Sequence, residues 1–88
     1  MDLTLHLKRI WFDQIKSGEK KVEYRLYTSY WIKRLVKRKY DKIILLLGYP
    51  KKGTPGTRIE RDYCGYEIEI IRHPEWNYEP QKCFVIYL

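Results

Sequence analysis

Ser17-Gly18-Glu19-Lys20-Lys21-Val22-Glu23-Tyr24-Arg25 is the stretch on which the fold turns, because the periodicity of the chain changes within it. Upstream of Gly18, Trp11 and Ile15 stand at i and i+4, the spacing of one helical face, which predicts a helix of about two turns over Arg9–Ser17. Gly18 follows where a helix ends on a residue of positive φ, so it reads as the C-terminal cap. Downstream, residues 20–27 alternate with period two and predict a strand. Val22, Tyr24 and Leu26 fall on one face; Lys21, Glu23 and Arg25 fall on the other. Lys20 sits at the junction, where the backbone is least tied to a ladder.

The rest of the chain extends this pattern outward. Leu3–Leu7 alternates apolar and polar residues and predicts a strand with Leu3, Leu5 and Leu7 facing a core. After the junction segment, Thr28 or Ser29 can cap a second helix by accepting from its free amides. Its apolar stripe is Trp31 and Leu35, joined by Ile32 and Val36, and its wet side is Lys33, Arg34, Lys37 and Arg38. Residues 41–49 hold the most apolar run and predict a strand covered on both faces. Residues 50–57 form a loop, with Pro or Gly at four of eight positions. A strand pair over 58–64 and 66–72 meets at Gly65, which reads as a bulge or tight bend. Residues 73–80 are a second loop, and a closing strand occupies 83–88. The expected fold is a single α+β domain over residues 1–88: two short helices near the N-terminus and five or six strands in a small curved or barrel-like sheet.

Composition limits the function. Eighty-eight residues make one domain that buries roughly 60–65% of its unfolded surface. That is too small for a dinucleotide-binding fold, so no cofactor is expected. A charged fraction of 33% and a hydrophobic fraction of 44% describe a folded chain. The longest apolar runs, 43–47 and 84–88, are too short for a membrane span, and the alternating N-terminus lacks the apolar stretch of a signal peptide. Cys64 and Cys83 are too few for a disulfide framework, which makes a reduced, cytoplasmic setting the expectation. His6, His73, Cys64 and Cys83 show no paired metal-ligand spacing, so no metal is expected. The Gly53 and Gly56 loop lacks the Gly-Lys-Ser/Thr of a phosphate-binding loop.

Charge points to a partner. The chain has 18 Lys and Arg against 11 Asp and Glu. Residues 1–58 carry 15 against 5, and residues 59–88 carry 3 against 6. Such asymmetry suits a basic face turned to a polyanion, RNA or a nucleotide, although a small protein can also be basic for solubility alone. Glu23 and Arg25, about 7 Å apart along one strand face, can grip one ligand: arginine offers a planar fork to phosphate or a base edge, and glutamate accepts from exocyclic amines. The plainer alternative is a solvated strand face with an ion pair worth about 0–1 kcal/mol. Lys33, Arg34, Lys37, Arg38 and the Lys51-Lys52 pair can hold phosphates. Tyr27, Tyr30, Trp31, Tyr40 and Tyr49 are either base-stacking groups or core.

The run Gly18-x-Lys20-x-x-Glu23-x-Arg25, preceded by Trp11-Phe12-Asp13-Gln14-Ile15-Lys16-Ser17, resembles the hallmark of the activating signal cointegrator homology (ASCH) family, whose usual form is I-x-x-G-x-K-T-x-E-x-R after an aromatic residue and a short helix. The Leu3–Leu7 strand, the Tyr30-Trp31 helix, and Asp41-Lys42-Ile43-Ile44 leading into Gly48-Tyr49 also resemble short bacterial and phage members. The resemblance implies a PUA-like β-barrel with a cleft lined by Lys20, Glu23 and Arg25, in a family linked to RNA binding and nucleoside metabolism. Lys21 departs from the pattern. In members that deacetylate 4-acetylcytidine, the threonine at this place supplies the nucleophile, alongside the lysine and a later glutamate. Lysine cannot replace that hydroxyl without a change of mechanism, although Lys20 and Glu67 or Glu69 remain. The leading expectation is a binding module that uses Lys20, Lys21, Glu23, Arg25, Lys33, Arg34, Lys37, Arg38 and Tyr49. The alternative is a small hydrolase of acylated nucleosides or RNA with Lys20 as the catalytic group.

Overall fold

A computed structural model describes residues 1–88. The elements run β1 (Leu3–Leu7), α1 (Arg9–Ser17), β2 (Val22–Leu26), α2 (Ser29–Leu35), β3 (Lys42–Leu47), β4 (Arg58–Asp62), β5 (Tyr66–Ile71), a 3-10 turn (Pro74–Trp76) and β6 (Gln81–Tyr87). The protein is a small α+β chain whose strands form two three-stranded sheets, β1-β3-β4 and β2-β6-β5, not one closed barrel. The chain passes from one sheet to the other at Gly65, whose φ of 86° is readily adopted only by glycine. There the chain leaves β4, which pairs with β3, and enters β5, which pairs with β6. The strand pair expected about Gly65 is therefore a passage between sheets and not a hairpin.

Two compact units result: Met1–Lys21, Lys39–Tyr63 and Leu88 in the first, Val22–Arg38 and Cys64–Tyr87 in the second. In the first, β1 runs parallel to β3 in the register Leu3↔Ile43 to Leu7↔Leu47, and β4 closes the other side of β3 antiparallel. Leu3, Leu5 and Leu7 are buried as the alternation requires, and Ile43, Ile44 and Leu45 are buried on both faces of the central strand. Phe12 and Ile15 form the buried face of α1, which packs on β3. One outer strand of this sheet is β4, with the sequence Arg-Ile-Glu-Arg-Asp. It carries the surface pairs Arg58–Glu60 and Lys42–Asp62, both at 2.6 Å.

In the second unit β6 is central and antiparallel to both neighbours. Its four consecutive residues Cys83, Phe84, Val85 and Ile86 are buried, as expected for a strand covered on both faces. Helix α2 begins at Thr28, whose side chain accepts from the Trp31 amide at 3.4 Å, and it buries Leu35 while Lys33 and Arg34 face solvent. The loop over 73–80 contains the 3-10 turn, with the His73 ring accepting from the Glu75 amide.

Gly18 adopts φ 87° and closes α1 by donating to the Ile15 carbonyl at 3.1 Å. No atom lies within 4 Å of where a Cβ at this position would be. The cost of replacement is thus purely conformational. Gly18→Val is expected to destabilise the protein by about 1–2 kcal/mol and Gly18→Asn by less, since asparagine tolerates the left-handed region; denaturant midpoints of the two variants check the order.

Candidate functional site

Burial of a carboxylate organises the second unit. Side chains alternate along β2, so Glu23, Arg25 and the following Tyr27 share one face. The register sets Glu23 opposite Ile86 and Arg25 opposite Phe84, both fully buried. Glu23 is 6% exposed and is the buried charged residue of the core. This corrects the plainer expectation of a solvated polar face: the face carrying Glu23 and Arg25 is turned onto apolar side chains. A carboxylate so placed requires a partner. Arg25 Nη2 donates to Glu23 Oε2 at 2.8 Å, with the two side chains only 19% and 8% exposed.

From this pair two rings and a further guanidinium, Trp31, Tyr30 and Arg34, run outward. The Arg25 guanidinium lies over the Trp31 ring at 5.0 Å from its centroid. Trp31 meets Tyr30 edge to face, centroids 5.0 Å apart at 77°. The Arg34 guanidinium sits 3.4 Å from the centre of the Tyr30 ring and donates from Nη1 to the Tyr30 carbonyl at 3.0 Å. Tyr30 and Arg34 are exposed, Trp31 half-buried. The series Glu23–Arg25–Trp31–Tyr30–Arg34 therefore leads from the core of the unit to its surface. Geometry of this kind suits cation–π attraction at each arginine. A second pair lies on the same strand face, where Lys82 Nζ stands 4.2 Å from the Tyr27 ring centre and Tyr27 tilts against Phe84. Lys33, Lys37 and Arg38 are exposed at or just past the end of α2, and Arg38 Nε donates to the Lys33 carbonyl.

The other expected site residues belong to the first unit. Lys20 and Lys21 precede β2 instead of lying within it; the Lys20 amide donates to the Gln14 carbonyl, and its ammonium sits 5.4 Å from the Trp11 ring centre. Lys20 is half-buried and Lys21 exposed. Tyr49 is exposed on one side and stacked on His6 on the other, with centroids 4.0 Å apart at 16°. Because the Gly48 carbonyl only accepts, His6 Nδ1 donates to it at 2.7 Å. Tyr40 packs edge to face on Tyr63. An open depression on α1 is lined by Ile10, Asp13, Gln14, Ser17 and Glu19, none of them an expected site residue.

The sequence brings Glu23 and Arg25 together by spacing alone, but three pairings are not legible there: Arg25 on Trp31, Tyr27 with Lys82, and His6 with Tyr49. The first needs the angle between α2 and β2, the second the register of β6. Cys83 is buried, which pushes its thiol pKa up, and its Sγ donates to the Gln81 carbonyl at 3.4 Å. A thiol so held is a poor nucleophile. No family model, curated protein or solved structure matches the chain.

Removing one member of the buried pair strands the other. Arg25→Ala is expected to destabilise the protein by about 3 kcal/mol, whereas Glu60→Ala, which breaks a pair with both side chains more than half exposed, costs less than about 1 kcal/mol. Urea unfolding of both variants measures the contrast; equal effects would contradict it.

Proposed function

We propose that the chain is a binding module for single-stranded RNA or a modified nucleotide, of the PUA-like ASCH type that its Gly18, Lys20, Glu23 and Arg25 resemble. One observation carries this reading: the outward series Glu23–Arg25–Trp31–Tyr30–Arg34. Single strands are held without a fixed sequence when ring faces stack on bases and cations follow the phosphates. The series supplies both, two adjoining rings flanked by Arg25 and Arg34, and the buried Glu23 holds the Arg25 guanidinium at its inner end. The exposed Lys33, Lys37 and Arg38 add charge that needs no fixed geometry. In the first unit, Lys20 with Trp11 and Tyr49 with His6 repeat the combination of ring and nitrogen group, and Lys21, Lys51 and Lys52 are exposed nearby in sequence.

Hydrolysis is the weaker reading. Lys21 offers no hydroxyl at the position where deacetylating relatives of the ASCH type carry threonine, and the Cys83 thiol is withdrawn from solvent.

Titration with a short fluorescent single-stranded RNA tests the proposal. Affinity should fall steeply as salt rises. Trp31→Ala should weaken binding by about tenfold, the loss of one stacking platform, and Arg34→Ala by a smaller factor that shrinks at high salt. Affinity indifferent to salt and to both substitutions would overturn it. Incubation with 4-acetylcytidine should leave the substrate intact; conversion that disappears in Lys20→Ala would replace the binding reading with the hydrolytic one.

A further inference from the structure

The acidic part of the chain, which the RNA reading does not use, contains a sheet edge built unlike the β4 edge. In the sheet β2-β6-β5, strand β5 is an outer strand and β6 is its ladder partner. The Tyr87 amide donates to the Gly65 carbonyl at 3.1 Å, so residues 65 and 87 form a hydrogen-bonded antiparallel pair. Stepping along the register, Glu67, Glu69 and Ile71 turn their backbone groups to β6, whereas Tyr66, Ile68 and Ile70 turn theirs outward. The same parity holds on the other side of β6, where the Tyr27 amide donates to the Lys82 carbonyl. The backbone hydrogen bonds of the loops and turns include none from Tyr66, Ile68 or Ile70.

The side chains of this edge sort by face. Ile68 and Ile70 are 43% and 65% exposed on the face shared with Phe84. Glu67 and Glu69 are exposed on the opposite face, and Glu67 accepts from the Tyr87 hydroxyl. Natural edges are commonly blunted by lysine, proline or close-set charges. The β4 edge follows that rule, with Arg58, Glu60, Arg61 and Asp62 in five residues, whereas β5 has neither lysine nor proline and its two charges, Glu67 and Glu69, share one sign and one face.

We infer that β5 is a strand-addition site for an extended segment of another protein in which Lys or Arg alternates with aliphatic residues. Its backbone would pair with the outward groups of Tyr66, Ile68 and Ile70. Its apolar side chains would cover Ile68 and Ile70, and its basic ones would face Glu67 and Glu69. Cross-strand neighbours on one face are the pairs that stabilise a sheet, and opposite charges there attract. A second copy of β5 is the wrong occupant: antiparallel pairing centred on Ile68 sets Glu67 against Glu69 twice, and like charges directly opposed are destabilising.

The test uses the whole chain and a capped hexapeptide of alternating Lys and Val, with a peptide of the same composition in two blocks as comparator. The alternating peptide should bind at least about tenfold more tightly than the block peptide, and it should slow amide exchange at Tyr66, Ile68 and Ile70. Ile70→Pro removes an outward donor without removing a rung to β6, and should abolish the preference. Glu67→Lys with Glu69→Lys, a second variant that leaves the backbone alone, should reverse it in favour of an alternating Glu and Val peptide. Equal binding of the two lysine peptides, protection elsewhere than β5, or self-association of the protein through β5 would overturn the inference.

Discussion

A carboxylate placed against apolar side chains constrains the second unit more than any other single contact. Glu23 lies opposite Ile86 and beside Phe84, and its position is tenable because Arg25, two residues on, reaches back to it at 2.8 Å. The pair fixes where the guanidinium sits, and the guanidinium in turn gives Trp31 a charged surface to lie against. Strand β2 and helix α2 are thereby joined by a contact that is polar at one end and aromatic at the other. Burying such a pair gains little stability over an apolar core of equal volume, but losing half of it is expensive. Its value here is positional: held by Glu23, the Arg25 guanidinium keeps one place over the Trp31 ring.

Elements were legible to a degree that the site was not. Period two in Leu3–Leu7, period 3.6 in Arg9–Ser17 and the glycine between helix and strand are local signals, and each element formed where its own residues favour it. Pairing is not local. Nothing in the residues around Gly65 says that β4 and β5 join different sheets, and the barrel-like sheet expected from strand count is instead two sheets of three. Alternation in β2 identified which residues share a face but not which face is covered, because a row of Lys21, Glu23 and Arg25 looks solvated until Phe84 and Ile86 are known to lie across from it. Lys21 is exposed and Glu23 buried, so the polar row is divided where it first looks uniform.

The charge asymmetry gains a structural meaning in the same way. The basic surplus lies in residues 1–58, which supply Arg25, Arg34 and the end of α2. The acidic surplus lies in residues 59–88, where Glu67 and Glu69 mark one face of an outer strand. In sheet β2-β6-β5 the Arg25–Glu23 pair lies on one outer strand and Glu67 and Glu69 on the other, with the buried strand β6 between them.

In the proposed RNA-binding role the Arg25–Trp31 contact is the inner end of the recognition surface. Titration of the isotopically labelled protein with a short single-stranded RNA, followed by NMR, tests this most directly. The Arg25 Nε and Trp31 indole Nε1 resonances should shift on one saturating curve that matches the binding isotherm. Saturated binding that leaves both resonances unmoved would contradict it.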